Sequence, residues 1–246
     1  MRALDDLKSA VAFLTRLPLT TPEGASIARA TWAFPLVGLA VGAVGGLVYE
    51  LTLVLGLTPF IAAMLAVAAT MLVTGALHED GLADTADGFG GGATRERKLE
   101  IMRDSRIGTY GVLALILTFS LKVGALASIG DPLLAALALM TAHIAALAAL
   151  PAFMFAVKLA RADGLSAEAG RPPVRSVAIA AALGVLALGF GLDPIRGVAA
   201  LLLLVLACLI LARLSLRQIG GQTGDVLGAL EQCAEILVLL TAAALF

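Results

Sequence analysis

The stretch TPFIAAMLAVAATMLVTGALHEDGLADTADG, from Thr58 to Gly88, carries no charge up to Leu77 and then four acids, Glu79, Asp80, Asp84 and Asp87, with His78 leading. A bilayer core of about 30 Å needs roughly 20 apolar residues as a helix. The first part is therefore read as a membrane span, and the second as a polar segment at its mouth. Composition extends that reading to the whole chain of 246 residues. Hydrophobic residues make up 60% and charged residues 14%, where soluble domains have about 45–50% and about 25%. Mean hydropathy is +1.00. A soluble domain, a disordered chain and a secreted disulfide scaffold are excluded, and the net charge of −1 gives no reason to expect nucleic acid.

Seven segments approach spanning length, at about 31–57, 58–77, 110–130, 132–157, 177–192, 197–212 and 226–246. The fifth and sixth are short, so they extend into their flanks or form a hairpin around Asp193 and Pro194. Of 17 Lys and Arg residues, 15 fall in segments 1–30, 78–109, 158–176 and 213–225, with Arg196 alone on the opposite side and Lys122 inside a span. Cytoplasmic loops collect basic residues, which predicts the N-terminus inside, the C-terminus outside and the long polar loops cytoplasmic. Trp32 and Tyr110 then fall at the cytoplasmic interface and Tyr49 near the other. The expected fold is an all-α polytopic bundle of about seven transmembrane helices, forming one domain over 1–246.

Residues 1–17 place Leu4, Leu7, Val11 and Leu14 at helical spacing, with Arg2, Asp5, Asp6 and Lys8 on other faces. This predicts an amphipathic helix, lying either in the membrane interface or on the cytoplasmic loops. Arg16, in the only apolar stretch before Pro18, does not fit a cleavable signal peptide. Gly38, Gly42 and Gly46 repeat every four residues, a pattern that admits close approach of another helix. Cys208 and Cys233 lie in apolar runs and imply no disulfide or metal framework.

The segment from His78 to Tyr110 holds seven of the 18 acids. If the second span continues as a helix past Leu77, Asp80, Asp84 and Asp87 share one face at i, i+4 and i+7. Three close carboxylates repel one another unless a cation lies between them. Hard oxygen ligands favour Mg²⁺ or Mn²⁺, with substrate phosphate completing the Mg²⁺ shell; the alternative is a solvated acidic loop. Gly81 and Gly88 cost about 1 kcal/mol each in a helix, which close approach to a ligand would explain. Gly90, Gly91 and Gly92 are expected to break the helix before a short amphipathic helix with Arg95, Arg97 and Lys98. Arg103 and Arg106 either bind phosphate through their planar forks or anchor the chain as positive-inside residues. His78 is read as a base, a carboxylate-orienting group or hydrogen-bonded structure, and His143 is equally open. Gly220, Gly221, Gly224 and Asp225 mark the mouth of the last span. Glu231 and Glu235 lie one turn apart within it, pairing with Lys122 or facing a substrate cleft.

HEDGLADTADG (His78–Gly88), RDSRIGTYG (Arg103–Gly111), TGDVLGA (Thr223–Ala229) and FLTRLP (Phe13–Pro18) resemble the cobalamin synthase (adenosylcobinamide-GDP ribazoletransferase) family from near the N-terminus to the last span. The resemblance implies a Mg²⁺-dependent enzyme of the bacterial inner membrane. Such an enzyme joins adenosylcobinamide-GDP to α-ribazole, or to its 5′-phosphate, with release of GMP, and is compatible with a homo-oligomer. Carried over by position, Asp80, Asp84 and Asp87 would be metal ligands. His78, Glu79, Asp80 and Asp84 would form the catalytic set, with Glu79 a further ligand or base. Arg103, Asp104, Ser105, Arg106 and, more distantly, Asp225 would bind substrate phosphate. Segment 158–176 is the least matched. A CDP-alcohol phosphotransferase-like enzyme is the alternative, but it wants Ala-Arg after the first Asp-Gly, where this chain has Ala83-Asp84. A cation-coupled transporter should carry its acids at mid-membrane on broken helices, whereas here the densest cluster lies in a loop.

Overall fold

The computed structural model describes residues 2–21 and 24–244. Twelve α-helices are described: α1 (Arg2–Leu14), α2 (Ile27–Ala30), α3 (Phe34–Val54), α4 (Pro59–Thr74), α5 (Leu77–Gly91), α6 (Arg95–Ile101), α7 (Thr109–Ile129), α8 (Pro132–Ala156), α9 (Leu165–Ala169), α10 (Val174–Gly191), α11 (Pro194–Gln218) and α12 (Gly224–Ala243). A 3-10 turn over Thr31–Ala33 makes α2 and α3 one continuous run. Among the described residues no strand occurs, only an isolated bridge between Leu159 and Gln222. Six helical runs are long and apolar enough to cross a membrane. The pair α4 and α5, bent by 91°, makes a seventh if it is taken as one span.

The span boundaries follow local chemistry. Thr58, Asp131, Asp193 and Thr223 each accept a backbone N–H in the first turn of α4, α8, α11 and α12, and Pro follows the cap in the first three. That combination starts helices because the side chain satisfies an orphan donor and Pro lacks one. The short sixth span lengthens into its C-terminal flank, to Gln218, and the hairpin turns at Asp193 as expected. The last two residues of the seventh predicted span, 245 and 246, lie outside the described residues.

Two expectations are corrected by packing. Tyr49 is not an interfacial anchor: it is fully buried, and its hydroxyl donates to the Leu126 carbonyl at 3.4 Å. The amphipathic N-terminal helix docks on the bundle, burying Ala10 and Leu14 against Phe34 and Val37 and leaving Leu4 exposed. Asp6 fixes it there by accepting from Arg29 Nε at 2.9 Å and Trp32 Nε1 at 3.2 Å.

The centre of the bundle is α8, packed on α3, α10 and α12, while α12 also contacts α5, α7 and α11. Lipid tails are as apolar as the core, so association rests on close packing. A Cβ added at Gly42 would lie 2.6 Å from Met140 Cα, and one at Gly38 would collide with the His143 carbonyl. The glycine stripe therefore brings α3 directly onto the backbone of α8.

The second span does not continue as a helix past Leu77. It stops at Gly75 and Ala76, with φ of +68° and +56°, and the chain restarts as α5. A left-handed alanine costs roughly 1–2 kcal/mol, and Arg16 holds the bend: its N–H donates to the Val73 carbonyl at 2.8 Å and its side chain lies on Gly75. This is the structural use of the FLTRLP segment. Helix α5 thereby runs off at 91° to α4 with its acids in register.

Candidate active site

Asp80, Asp84 and Asp87 all lie within α5, so one face carries the three carboxylates despite the break behind it. Asp80 is exposed, Asp84 half-buried and Asp87 buried. Burial pushes the Asp84 carboxyl up to about 7, helped by the charges of Asp80, Asp225 and Asp87 and opposed by Arg161. Asp84 thus sits in negative potential with too little counter-charge, which is the electrostatic condition for holding a cation.

Asp225, at the first turn of α12, reaches this face because α5 and α12 cross with almost no side chain between them. A Cβ at Gly81 would lie 2.9 Å from the Asp225 carbonyl, and one at Gly228 would lie 2.9 Å from the His78 carbonyl. Gly81 therefore serves helix contact rather than ligand approach, and Gly88 likewise faces Met102 and the Lys98 carbonyl. The helix also runs on through Gly90 and Gly91, with Gly92 as its cap. Lys98 Nζ donates to the Gly92 carbonyl at 2.5 Å and the Phe89 carbonyl at 3.2 Å, so it closes α5 instead of lying on a membrane surface. Arg95 ties the Ile219 and Ala160 carbonyls together at 2.8 and 2.7 Å.

Asp87 differs from the other two acids. Its carboxylate accepts the N–H of Gly108 at 2.7 Å and of Gly111 at 2.9 Å, the opening residues of α7. Gly108 has no side chain to cap α7, and Asp87 performs that task from another helix.

The RDSRIG segment divides. Arg103 turns toward the middle loop and pairs with Asp163 at 2.6 Å. Arg106, with a side chain 87% exposed, pairs at 2.7 Å with Asp104, and this contact holds the Asp104 carboxyl down to about 2. Ser105 is exposed between them. Neither Asp104 nor Arg106 faces the acids of α5 through any contact in the structure.

Segment 158–176, where the sequence offered least, supplies Arg161. Its side chain is 16% exposed and its Nη2 lies 3.3 Å from Asp225 Oδ2, with Nε 3.6 Å from Asp163 Oδ1. The backbone holds it there: Gln222 N donates to the Lys158 carbonyl at 2.8 Å and Ala160 N to the Gln222 carbonyl at 2.9 Å. No local pattern marks Arg161 among the basic residues of its loop, since only this pairing of distant loops brings it to Asp225.

His78 and Glu79 turn the other way, into the bundle. His78 Nδ1 lies 3.5 Å from Glu231 Oε2, and Glu79 Oε1 accepts from Gln232 Nε2 at 3.1 Å. Lys122 pairs with Glu235 at 2.5 Å and lies 3.8 Å from Glu79. A cavity of about 470 Å³ lies beside α5, lined by Asp80, Glu79, Lys122 and Gln232 with apolar Ile116 and Phe119 opposite.

At one end of the helical bundle a carboxylate face therefore stands beside guanidinium groups. Residues 6–243 match the family model described as CobS, cobalamin-5-phosphate synthase, and the chain belongs to that family. A relative from Bradyrhizobium diazoefficiens is 63% identical over 97% of this chain and 93% of its own length. Relatives from Mesorhizobium japonicum and Azorhizobium caulinodans are 48% and 46% identical, covering 97% of this chain and 93% and 95% of theirs. All three are named adenosylcobinamide-GDP ribazoletransferase. No solved structure matches the chain.

Proposed function

We propose that this protein joins adenosylcobinamide-GDP to α-ribazole, or α-ribazole 5′-phosphate, forming adenosylcobalamin or its 5′-phosphate and releasing GMP in the last steps of cobalamin biosynthesis. The bond formed is between a free ribose hydroxyl oxygen of the ribazole, other than the 5′-oxygen that the phosphorylated acceptor already has esterified, and the phosphorus attached to the cobinamide aminopropanol, and the hydroxyl gives up its proton. The bond broken is the phosphoanhydride to GMP, which departs with the electron pair. The observation that carries the reading is the convergence of Asp80, Asp84 and Asp225, from two separated segments whose motifs match the family, with Arg161 from a third. The basic loops support placing this end of the bundle in the cytoplasm, and the rhizobial relatives support the bacterial inner membrane.

An all-oxygen set in negative potential suits Mg²⁺. Asp80 and Asp84 would hold it, with Asp225 beside them and Asp87 fixing the start of α7. When bound, the metal would neutralise the diphosphate and stabilise the leaving GMP. Arg161 and Arg103, held by Asp225 and Asp163, supply the cationic side of the same site and would bind the phosphoryl oxygens. The corrin is too large and polar for a pocket among the spans, and a site at the bundle's end leaves it in water.

Purified protein in lipid, supplied with cobinamide-GDP, α-ribazole and Mg²⁺, should release GMP in step with nucleotide-loop closure. Release that needs no α-ribazole, or none with either acceptor, would overturn the proposal.

A further inference from the structure

Behind α5, in the interior of the bundle, His143, Glu231 and Glu235 lie buried with one ligand atom of each within 4.8 Å of the others. They come from the middle of α8 and α12, at a depth where an ionisable side chain is a functional feature by default. Their neighbours are Lys122 on Glu235, Gln232 donating to both Glu231 and Glu79, and His78 against Glu231.

Two observations make this more than an ion-pair network. His143 Nε2 and Glu235 Oε1 are buried without any hydrogen-bond partner, as are Glu79 Oε2 and Gln232 Oε1 in the same cluster. Yet His143 Nε2 and Glu235 Oε1 face each other at 3.5 Å, and His143 Nδ1 faces Glu231 Oε1 at 3.8 Å. An N–H···O bond closes to about 2.7–3.2 Å. Two ligands held about 2.1 Å from one tetrahedral metal ion are instead about 3.4 Å apart. The spacing of the unpartnered pair is that of a ligand edge.

Charge points the same way. Glu79, Glu231 and Glu235 bring three negative charges into the bundle and Lys122 returns one. A single divalent cation makes the cluster neutral while leaving both imidazoles uncharged, so His143 keeps the lone pair a metal needs. Neutrality without metal would require the cluster as a whole to take up two protons, and an imidazolium at residue 143 would be expected to draw its flanking carboxylates into hydrogen-bonding distance.

We propose that His143, Glu231 and Glu235 form a second metal site, distinct from the acid face and independent of the activity proposed above. One imidazole nitrogen with two carboxylates selects a borderline divalent ion such as Zn²⁺ or Mn²⁺ over Mg²⁺. The ion ties α8 to α12 at the centre of the bundle. The cavity lined by Asp80, Glu79, Lys122 and Gln232 lies beside the cluster, with Lys122 and Gln232 between the two.

The test uses the full chain in lipid nanodiscs, stripped with chelator, loaded with Mn²⁺ and desalted into excess Mg²⁺ so that the acid face carries Mg²⁺. The retained manganese should be one ion per chain by elemental analysis, and its electron spin-echo modulation should show one imidazole nitrogen. Asp84→Asn should retain both signals and His143→Gln should lose both. If His143→Gln does not fold, the wild-type spectrum decides alone. No retained ion, an ion without imidazole coupling, or coupling that survives His143→Gln would each overturn the site and leave the cluster balanced by protons.

Discussion

Asp87 on α5 caps α7 from 21 residues away, its carboxylate accepting the Gly108 N–H at 2.7 Å. With the Gly111 N–H on the other oxygen, this acid is satisfied by backbone. Asp84, one turn earlier, is surrounded by like charge. Adjacent members of one motif therefore stand on opposite sides of the energy balance, and substitutions should separate them.

Asp87→Ala removes two charge-assisted hydrogen bonds from buried N–H groups, each of the kind worth about 1.5–3 kcal/mol. With partial rescue by water, a net loss of about 2–3 kcal/mol is expected. Thermal unfolding in detergent or nanodiscs should show a clearly lower midpoint, whereas an unchanged midpoint would remove the capping role.

Asp84→Asn relieves repulsion, so the variant should be at least as stable as the parent by the same measurement. As a metal ligand its loss should lower the rate at least about a hundredfold, roughly 2.7 kcal/mol of transition-state stabilisation. Normal turnover at limiting Mg²⁺ would show that Asp84 is not a ligand.

Acidity links to metal binding through the same residue. With its carboxyl raised to about 7, metal-free Asp84 is protonated below neutrality and must ionise to coordinate. Its contribution to metal-free stability runs opposite to coordination, favourable at low pH and lost as pH rises from the unfolded value through about 7. Mg²⁺ affinity should therefore increase from about pH 6 to pH 8 and level off above. A Mg²⁺ titration at three pH values checks this, and Asp84→Asn should flatten the dependence.

Arg161 and Arg106 make a paired test of fork geometry against simple charge. Lysine preserves the charge at either position but not the planar donor set. Arg161→Lys should lower kcat/KM by about ten- to a hundredfold, because its guanidinium lies against Asp225 within the site. Arg106→Lys should be tolerated, because that side chain is solvent-exposed and engages only Asp104. The reverse order would place the phosphate contact on the surface segment.

Orientation is checked by cysteine labelling in inverted and right-side-out vesicles. Positions within 85–105 and 160–175 should label from the cytoplasmic side, and a C-terminal tag from the other. A tag that labels from the cytoplasm would reduce the spans to six and make α4 and α5 a re-entrant pair.

The sequence by itself determined the solvent, the helices and the acid face. Those depend on hydropathy, caps and a spacing of four and three residues, all of them local along the chain. It also carried the family, because whole motifs survive as contiguous strings. What only the tertiary structure decided is which way each polar group points. The left-handed bend at Gly75 and Ala76 turned α5 aside and sent His78 and Glu79 inward while Asp80 and Asp84 faced out. The near-contact of Gly81 and Gly228 brought Asp225 to the acids. The pairing of the 158–160 and 220–222 backbones delivered Arg161. Each is a contact between residues far apart in sequence, set by packing of small residues and by backbone hydrogen bonds that leave no periodic trace in the chain.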